Sequence, residues 1–196
     1  MPRSGARSSP YPRLRPAVLL LLAAGCSPFG TSVAFPPESF DLDPDWQHAA
    51  RVPLLSQEGP SDCGAAALSA VLRYWSLPAS IDDVRRACPS GPDGIKAGDL
   101  RSFARDQGLK AFLIEGTLAD LERELSKRRP VLVGLALRQG DTLLTHYEVV
   151  VGVHRQDKRI VTLDPARGWR AWTWADFDRL WAPARRLSLV CFRAEE

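Results

Sequence analysis

The stretch Gln57-Glu-Gly-Pro-Ser-Asp62-Cys63-Gly64-Ala-Ala-Ala-Leu68 joins a polar turn to an apolar helix and sets a cysteine at the junction. The first backbone N–H groups of a helix lack intrahelical acceptors and carry the positive end of its dipole, so a thiol placed there is biased toward thiolate. Gly64 is expected to leave room beside the sulfur for a substrate backbone, and Asp62 to cap the helix with its carboxylate. A cysteine nucleophile needs a histidine to take its proton and a carboxylate or amide to orient that histidine. The sequence offers three histidines. His48 lies in a proline-rich stretch and His154 follows a strand end, whereas His146 heads the most strand-like run, residues 145–153 (Thr-His-Tyr-Glu-Val-Val-Val-Gly-Val). The next apolar run ends in Leu163-Asp164-Pro165, which sets a carboxylate at the end of the adjacent strand. Each residue also has an ordinary reading: a small core thiol, a satisfied strand histidine, a turn-forming aspartate, and a loop amide at Gln57.

Around this stretch the apolar pattern gives helices first and strands second. Residues 63–75 are apolar on nearly every side and predict a buried central helix. Ser80-Ile-Asp-Asp83 and Thr117-Leu-Ala-Asp120 resemble capping boxes that open helices to about Cys88 and to a point before Pro130. Between them residues 97–107 form another helix, stopped by Gly108. Residues 131–137, 146–153, 159–163, 170–174 and 187–192 read as an antiparallel sheet, with a short helix over 175–181. That order is α+β, and it fits a layout in which a nucleophile's helix packs on a sheet that carries the base.

The order Gln57, Asp62-Cys63-Gly64, His146, Asp164-Pro165 resembles the C39 cysteine peptidases, papain-like domains that remove leader peptides at double-glycine sites. The resemblance spans roughly residues 52–192. It implies Cys63 as nucleophile, His146 as general base and then acid, Asp164 orienting the imidazole, and Gln57 donating to the oxyanion together with the Cys63 backbone N–H. Family members of known role are usually fused to an ABC transporter, and no such domain stands in this sequence. The substrate therefore does not carry over with the mechanism.

The beginning of the chain is of another kind. Residues 1–25 hold Arg3, Arg7, Arg13 and Arg15, no acidic residue, and the apolar run 17–24, too short for the ~20 residues of a membrane-spanning helix and suited to a signal peptide. Leu22-Ala-Ala-Gly-Cys26 resembles a lipobox, with Leu one position early, so that cleavage would leave Cys26 to be lipidated; ordinary cleavage near residues 23–25 is the alternative. The lipoprotein reading makes the chain bacterial, tethered in the cell envelope, with Ser27 after the cysteine pointing to the periplasmic face of the outer membrane. Residues 26–50, with Pro28, Gly30, Pro36, Pro37 and Pro44, have linker composition and are expected to be a tether, leaving residues 51–196 as one domain.

The full chain has 26 basic and 23 acidic residues, and removal of the four N-terminal arginines leaves 22 against 23, a net charge of −1. The basic excess belongs to the signal, which argues against nucleic acid as a partner. No Cys-x-x-Cys or His-x-x-x-His spacing supports a zinc site, and no cofactor is called for. Cys88 and Cys191 are expected to be unpaired thiols even in an oxidising compartment. Trp169, Trp172, Trp174 and Trp181 are core or sheet surface, or else supply an exposed pair for binding peptide. Three functions follow: a cysteine peptidase acting outside the cytoplasm on a peptide or protein, possible sites being small residues such as Gly-Gly; an amidase or acyltransferase using the same triad; and a tethered peptide-binding module without catalysis.

Overall fold

The computed structural model describes residues 31–49, 51–91, 94–139 and 142–194. The expected signal segment and Cys26 lie outside these described residues. Among the described residues five α-helices, α1 (Cys63–Tyr74), α2 (Ile81–Ala87), α3 (Ala97–Asp106), α4 (Leu118–Ser126) and α5 (Trp174–Trp181), combine with one antiparallel sheet. The strands are β1 (Val33–Ala34), β2 (Trp46–His48), β3 (Lys110–Glu115), β4 (Val131–Gln139), β5 (Thr142–His154), β6 (Arg159–Asp164), β7 (Gly168–Thr173) and β8 (Leu187–Phe192). Their order is β1-β7-β6-β5-β4-β8-β3, with β2 paired to one end of β5. Both capping boxes form: Ser80 Oγ accepts from the Asp83 N–H and Thr117 Oγ1 from the Asp120 N–H, while each aspartate accepts from the N–H of its cap residue. Thr173 caps α5 in the same way through the Asp176 N–H.

Helix α1 is buried along residues 63–72 and packs across β5, β4 and β6, which is why its sequence is apolar all round. Burying Leu68 and Leu72 contributes on the order of 1.5–3 kcal/mol each. The aligned hydrogen bonds of β5 with β4 on one side and β6 on the other then fix the height of His146 against the start of that helix.

Two expectations change. The order is not helices first and sheet second, because Lys110-Ala-Phe-Leu-Ile-Glu115 forms β3 between α3 and α4 and pairs with β8. Its alternation is blurred by Leu113 and Ile114, which are both half-buried at the sheet's edge. The proline-rich stretch is also not a free tether over residues 31–49. There β1 pairs with β7, β2 pairs with β5, and Phe35, Phe40 and Trp46 are buried against one another at ring separations of 4.9–5.4 Å. Gly152 permits this, since a Cβ there would lie 2.6 Å from the Phe40 ring. Proline content hid the segment's three large aromatics, each of which gains more by burial than a linker residue does.

Candidate active site

Cys63 is the first residue of α1, only 6% exposed, so its N–H has no intrahelical acceptor. Asp62 does not cap that helix with its side chain. Its backbone is already helical (φ −91°, ψ −1°), and the carboxylate turns back to accept from the Gly59 N–H at 2.8 Å, closing the turn before the helix. A capping side chain needs an extended backbone at that position. The first N–H groups of α1 are thereby left without a side-chain cap beside the sulfur.

Gly64 has a different purpose from the one expected. A Cβ on it would stand 3.0 Å from Tyr147 Cδ2 and 3.3 Å from Cε2, so the room beside the helix is filled by the tyrosine ring. The Tyr147 hydroxyl donates to the Ile95 carbonyl at 2.8 Å, which pins the ring there. Glycine lets α1 approach β5 closely, and that approach carries Cys63 to the histidine one residue before the tyrosine.

On the strand side, His146 Nε2 lies 2.8 Å from Asp164 Oδ1, and the ring also interacts with the Cys63 side chain. Asp164 ends β6 and is fully buried; it also accepts from the Ala166 N–H at 2.8 Å and from Arg167 Nε. Burial works against a charged imidazole, but the bonds to Asp164 and Cys63 and the nearby Glu148 outweigh it and push the His146 pKa up to about 10. Burial likewise disfavours the Asp164 anion, and its bonds to His146, Arg167 and the Ala166 N–H more than offset this, holding its pKa below the usual carboxylate range. A proton taken from the thiol thus has a prepared place on the ring.

Gln57 is tied to the same site through its backbone, whose N–H donates to the Pro165 carbonyl at 3.0 Å. Its side-chain Nε2 donates to the Gly59 carbonyl at 3.0 Å, and its Oε1 is buried without a hydrogen-bond partner. An amide nitrogen carries two hydrogens, so one remains for a substrate oxygen.

Two further residues belong to the site and were not singled out by the sequence. Glu148 shares the His146 face of β5, and Arg167 in the turn after Asp164 reaches both carboxylates. A charged residue inside an otherwise apolar strand is a readable signal for the first; nothing in the spacing marks the second. His146, Glu148 and Asp164 place three potential ligand atoms within 4.8 Å of one another, but the cation those carboxylates hold is the guanidinium. The other histidines are engaged elsewhere. His48 stacks on Phe40, and His154 is held between Asp43 and the Asp157 N–H. Cys63, Cys88 and Cys191 are all unpaired. Burial pushes the Cys88 thiol up to about 11 and the Cys191 thiol up to about 12. Trp172 and Trp181 are core residues, while Trp169 and Trp174 are half-buried with ring edges against Phe40 and Trp181, so no exposed tryptophan pair forms.

The profile of the Peptidase C39 family matches residues 51–194. Among solved structures, a double glycine motif protease from an AMS/PCAT transporter, in complex with the leader peptide, is 25% identical, with 75% of this chain and 94% of that chain covered and a TM-score of 0.57. The peptidase domain of Streptococcus ComA, a bi-functional ABC transporter involved in a quorum sensing pathway, is 19% identical over 74% of this chain and 100% of that chain, with a TM-score of 0.61. A C39-like peptidase from Bacillus anthracis is 13% identical over 74% and 96%, with a TM-score of 0.62. The last two likenesses speak for the papain-like α+β fold. No curated protein sequence matches the chain.

Proposed function

Since the chain belongs to the peptidase C39 family and is a cysteine peptidase, we propose that it hydrolyses peptide bonds with Cys63 as nucleophile, His146 as base and then acid, and Asp164 as the group that orients the imidazole. The single observation that supports this division is the continuous chain of hydrogen bonds from the Cys63 sulfur through His146 to Asp164 at the start of an uncapped helix. The sulfur attacks the scissile carbonyl carbon, and the carbonyl electrons move onto oxygen. The Cys63 backbone N–H and the second hydrogen of Gln57 Nε2 receive that oxyanion; one such donor is worth roughly 3 kcal/mol of barrier. As the tetrahedral centre collapses, the C–N bond breaks, the leaving nitrogen takes the proton from His146, and a thioester to Cys63 remains. Water, losing a proton to His146, attacks the thioester and releases the acid and the thiol.

The substrate reading is a leader peptide cut after small residues such as Gly-Gly, supported by the 25% identical protease whose structure holds a leader peptide. The cellular reading rests on residues 1–26: export, lipidation at Cys26, and action at the periplasmic face of the outer membrane. Both are tested directly. A synthetic peptide with an internal Gly-Gly is incubated with the purified protein and its Cys63→Ala variant, and the products are weighed by mass spectrometry with and without added hydroxylamine. Cleavage after the second glycine to a free acid, lost in the variant, is the expected result. Cleavage only when hydroxylamine is present, to the hydroxamate, would make the chain an acyltransferase. No product, together with equal iodoacetamide labelling of Cys63, Cys88 and Cys191, would reduce it to a peptide-binding module. The mass of the N-terminal peptide from membranes decides lipidation, with an unmodified Cys26 ruling it out.

A further inference from the structure

Strand β5 carries a charge that the reaction described above does not call for. Glu148 lies two residues beyond His146, on the same face of the strand, and is 0% exposed. A carboxylate in such a place is costly unless other charges meet it. Arg167 Nη2 is 3.3 Å from its Oε1 and His146 Nε2 is 3.8 Å away, while Oε2 has no hydrogen-bond partner. Burial and Asp164 push the Glu148 pKa up; His146, Thr162 and Arg167 pull it back. Arg167 itself spans both carboxylates, with Nε on Asp164 and Nη2 on Glu148, and reaches Ser32 Oγ at 3.3 Å through Nη1.

The guanidinium creates an electrostatic difficulty. Asp164 can stabilise an imidazolium only through its negative charge, and a cation bound to its other oxygen cancels much of that charge. Glu148 restores it. Asp164, Arg167 and Glu148 together carry one net negative charge, the same as a lone aspartate, but with Asp164 clamped at both oxygens. The remaining surroundings do not upset this balance. Strand β4 sets Val133 and Leu135 opposite Glu148 and His146, α1 contributes Cys63, and Tyr147 is tied to the Ile95 carbonyl. Arg170 on β7 turns its guanidinium to Ser32 and is half-exposed; its charge also acts on Asp164, Glu148 and Arg167, but it is present in every variant that alters Glu148 or Arg167 and so offsets their midpoints alike.

We propose that Glu148 and Arg167 are a positioning pair behind the histidine: Arg167 fixes the carboxylate of Asp164, and Glu148 returns the negative charge that the guanidinium removes. The proposal rests on the roles given to His146 and Asp164 under the proposed function. Its test is a double-mutant cycle of Glu148→Gln and Arg167→Gln, read through the alkaline limb of the kcat/KM profile for peptide cleavage and, independently of turnover, through NMR titration of the His146 ring.

Glu148→Gln is expected to move both midpoints down by about one pH unit or more, because an imidazolium about 4 Å from a buried anion loses that support; KM should stay unchanged. The double variant, with Asp164 alone, should bring both midpoints back toward the starting protein, a recovery that a purely structural role would not give. If Glu148→Gln does not fold, Arg167→Gln decides, since Glu148 then takes up a proton and the midpoint stays or rises. An unshifted midpoint in Glu148→Gln, a double variant no better than the single one, or a fall in Arg167→Gln overturns the proposal. A protein without peptidase activity but with the expected ring titrations would contradict the proposed function and leave the charge pairing standing.

Discussion

Cys63 and His146 meet across two surfaces built in different ways. The helix that brings the cysteine is fixed by packing, buried along residues 63–72 with no side-chain cap at its start. The strands that bring the histidine are set in register by backbone hydrogen bonds, and the ring they deliver is held by charge, with two buried carboxylates and a half-buried guanidinium around one imidazole. A change on the helix side should therefore act mainly through distance, touching the pH profile only through the Cys63 bond to the ring, whereas a change on the strand side should act mainly through the proton.

The largest effects break both halves equally. Cys63→Ala and His146→Ala should each lower kcat/KM at least ~10⁴-fold, and the double variant should be no worse than either, because the two side chains act as one unit. Asp164→Asn, read in the same assay, should cost up to roughly 10⁴-fold and lower the alkaline limb, since the amide keeps a hydrogen bond to the ring but not the charge. Gln57→Ala should cost about a hundredfold in kcat with the pH profile unchanged, the mark of a lost oxyanion donor.

Gly64→Ala probes the helix side in its purest form. A methyl group 3.0 Å from the Tyr147 ring must push α1 off β5, so thermal unfolding should report a loss of about 1–3 kcal/mol, with kcat reduced and the alkaline limb lowered less than in Asp164→Asn, because only the Cys63 bond to the ring is loosened. The smallest expected effect is a slope. His146 is raised above its ordinary 6.5, so its contribution to stability is full below 6.5 and is lost as pH rises through about 10. Asp164 is depressed below its ordinary 3.8, so its contribution is full above that value and is lost as pH falls through its lowered pKa. Melting temperature should hold between about pH 4 and 6.5 and decline toward pH 10, and His146→Ala should flatten the decline.

The helix side was legible in the sequence because a turn, a cysteine and an unbroken apolar run are local signals. His146 and Asp164 were legible through strand position and order. Arg167 was not, because its role comes from where the turn after β6 folds back, a property of three-dimensional register rather than spacing. Gly64 was read correctly as a need for space and wrongly as space for substrate, since the tyrosine that fills it lies 83 positions away in the chain. The aromatic clasp of residues 35–46 and strand β3 were missed for a common reason. Each is short, sits at the margin of the sheet, and gains its order from partners far along the chain.

Strand β8, the last in sequence, is inserted between β4 and β3. A polypeptide that emerges from its N-terminus must therefore hold β3 and β4 apart, with their facing edges unpaired, until residues 187–192 arrive. Folding is consequently a late, non-local event in the life of the chain. An unfinished copy has β4 to β7 able to pair in succession but lacks the strand that joins β3 to them.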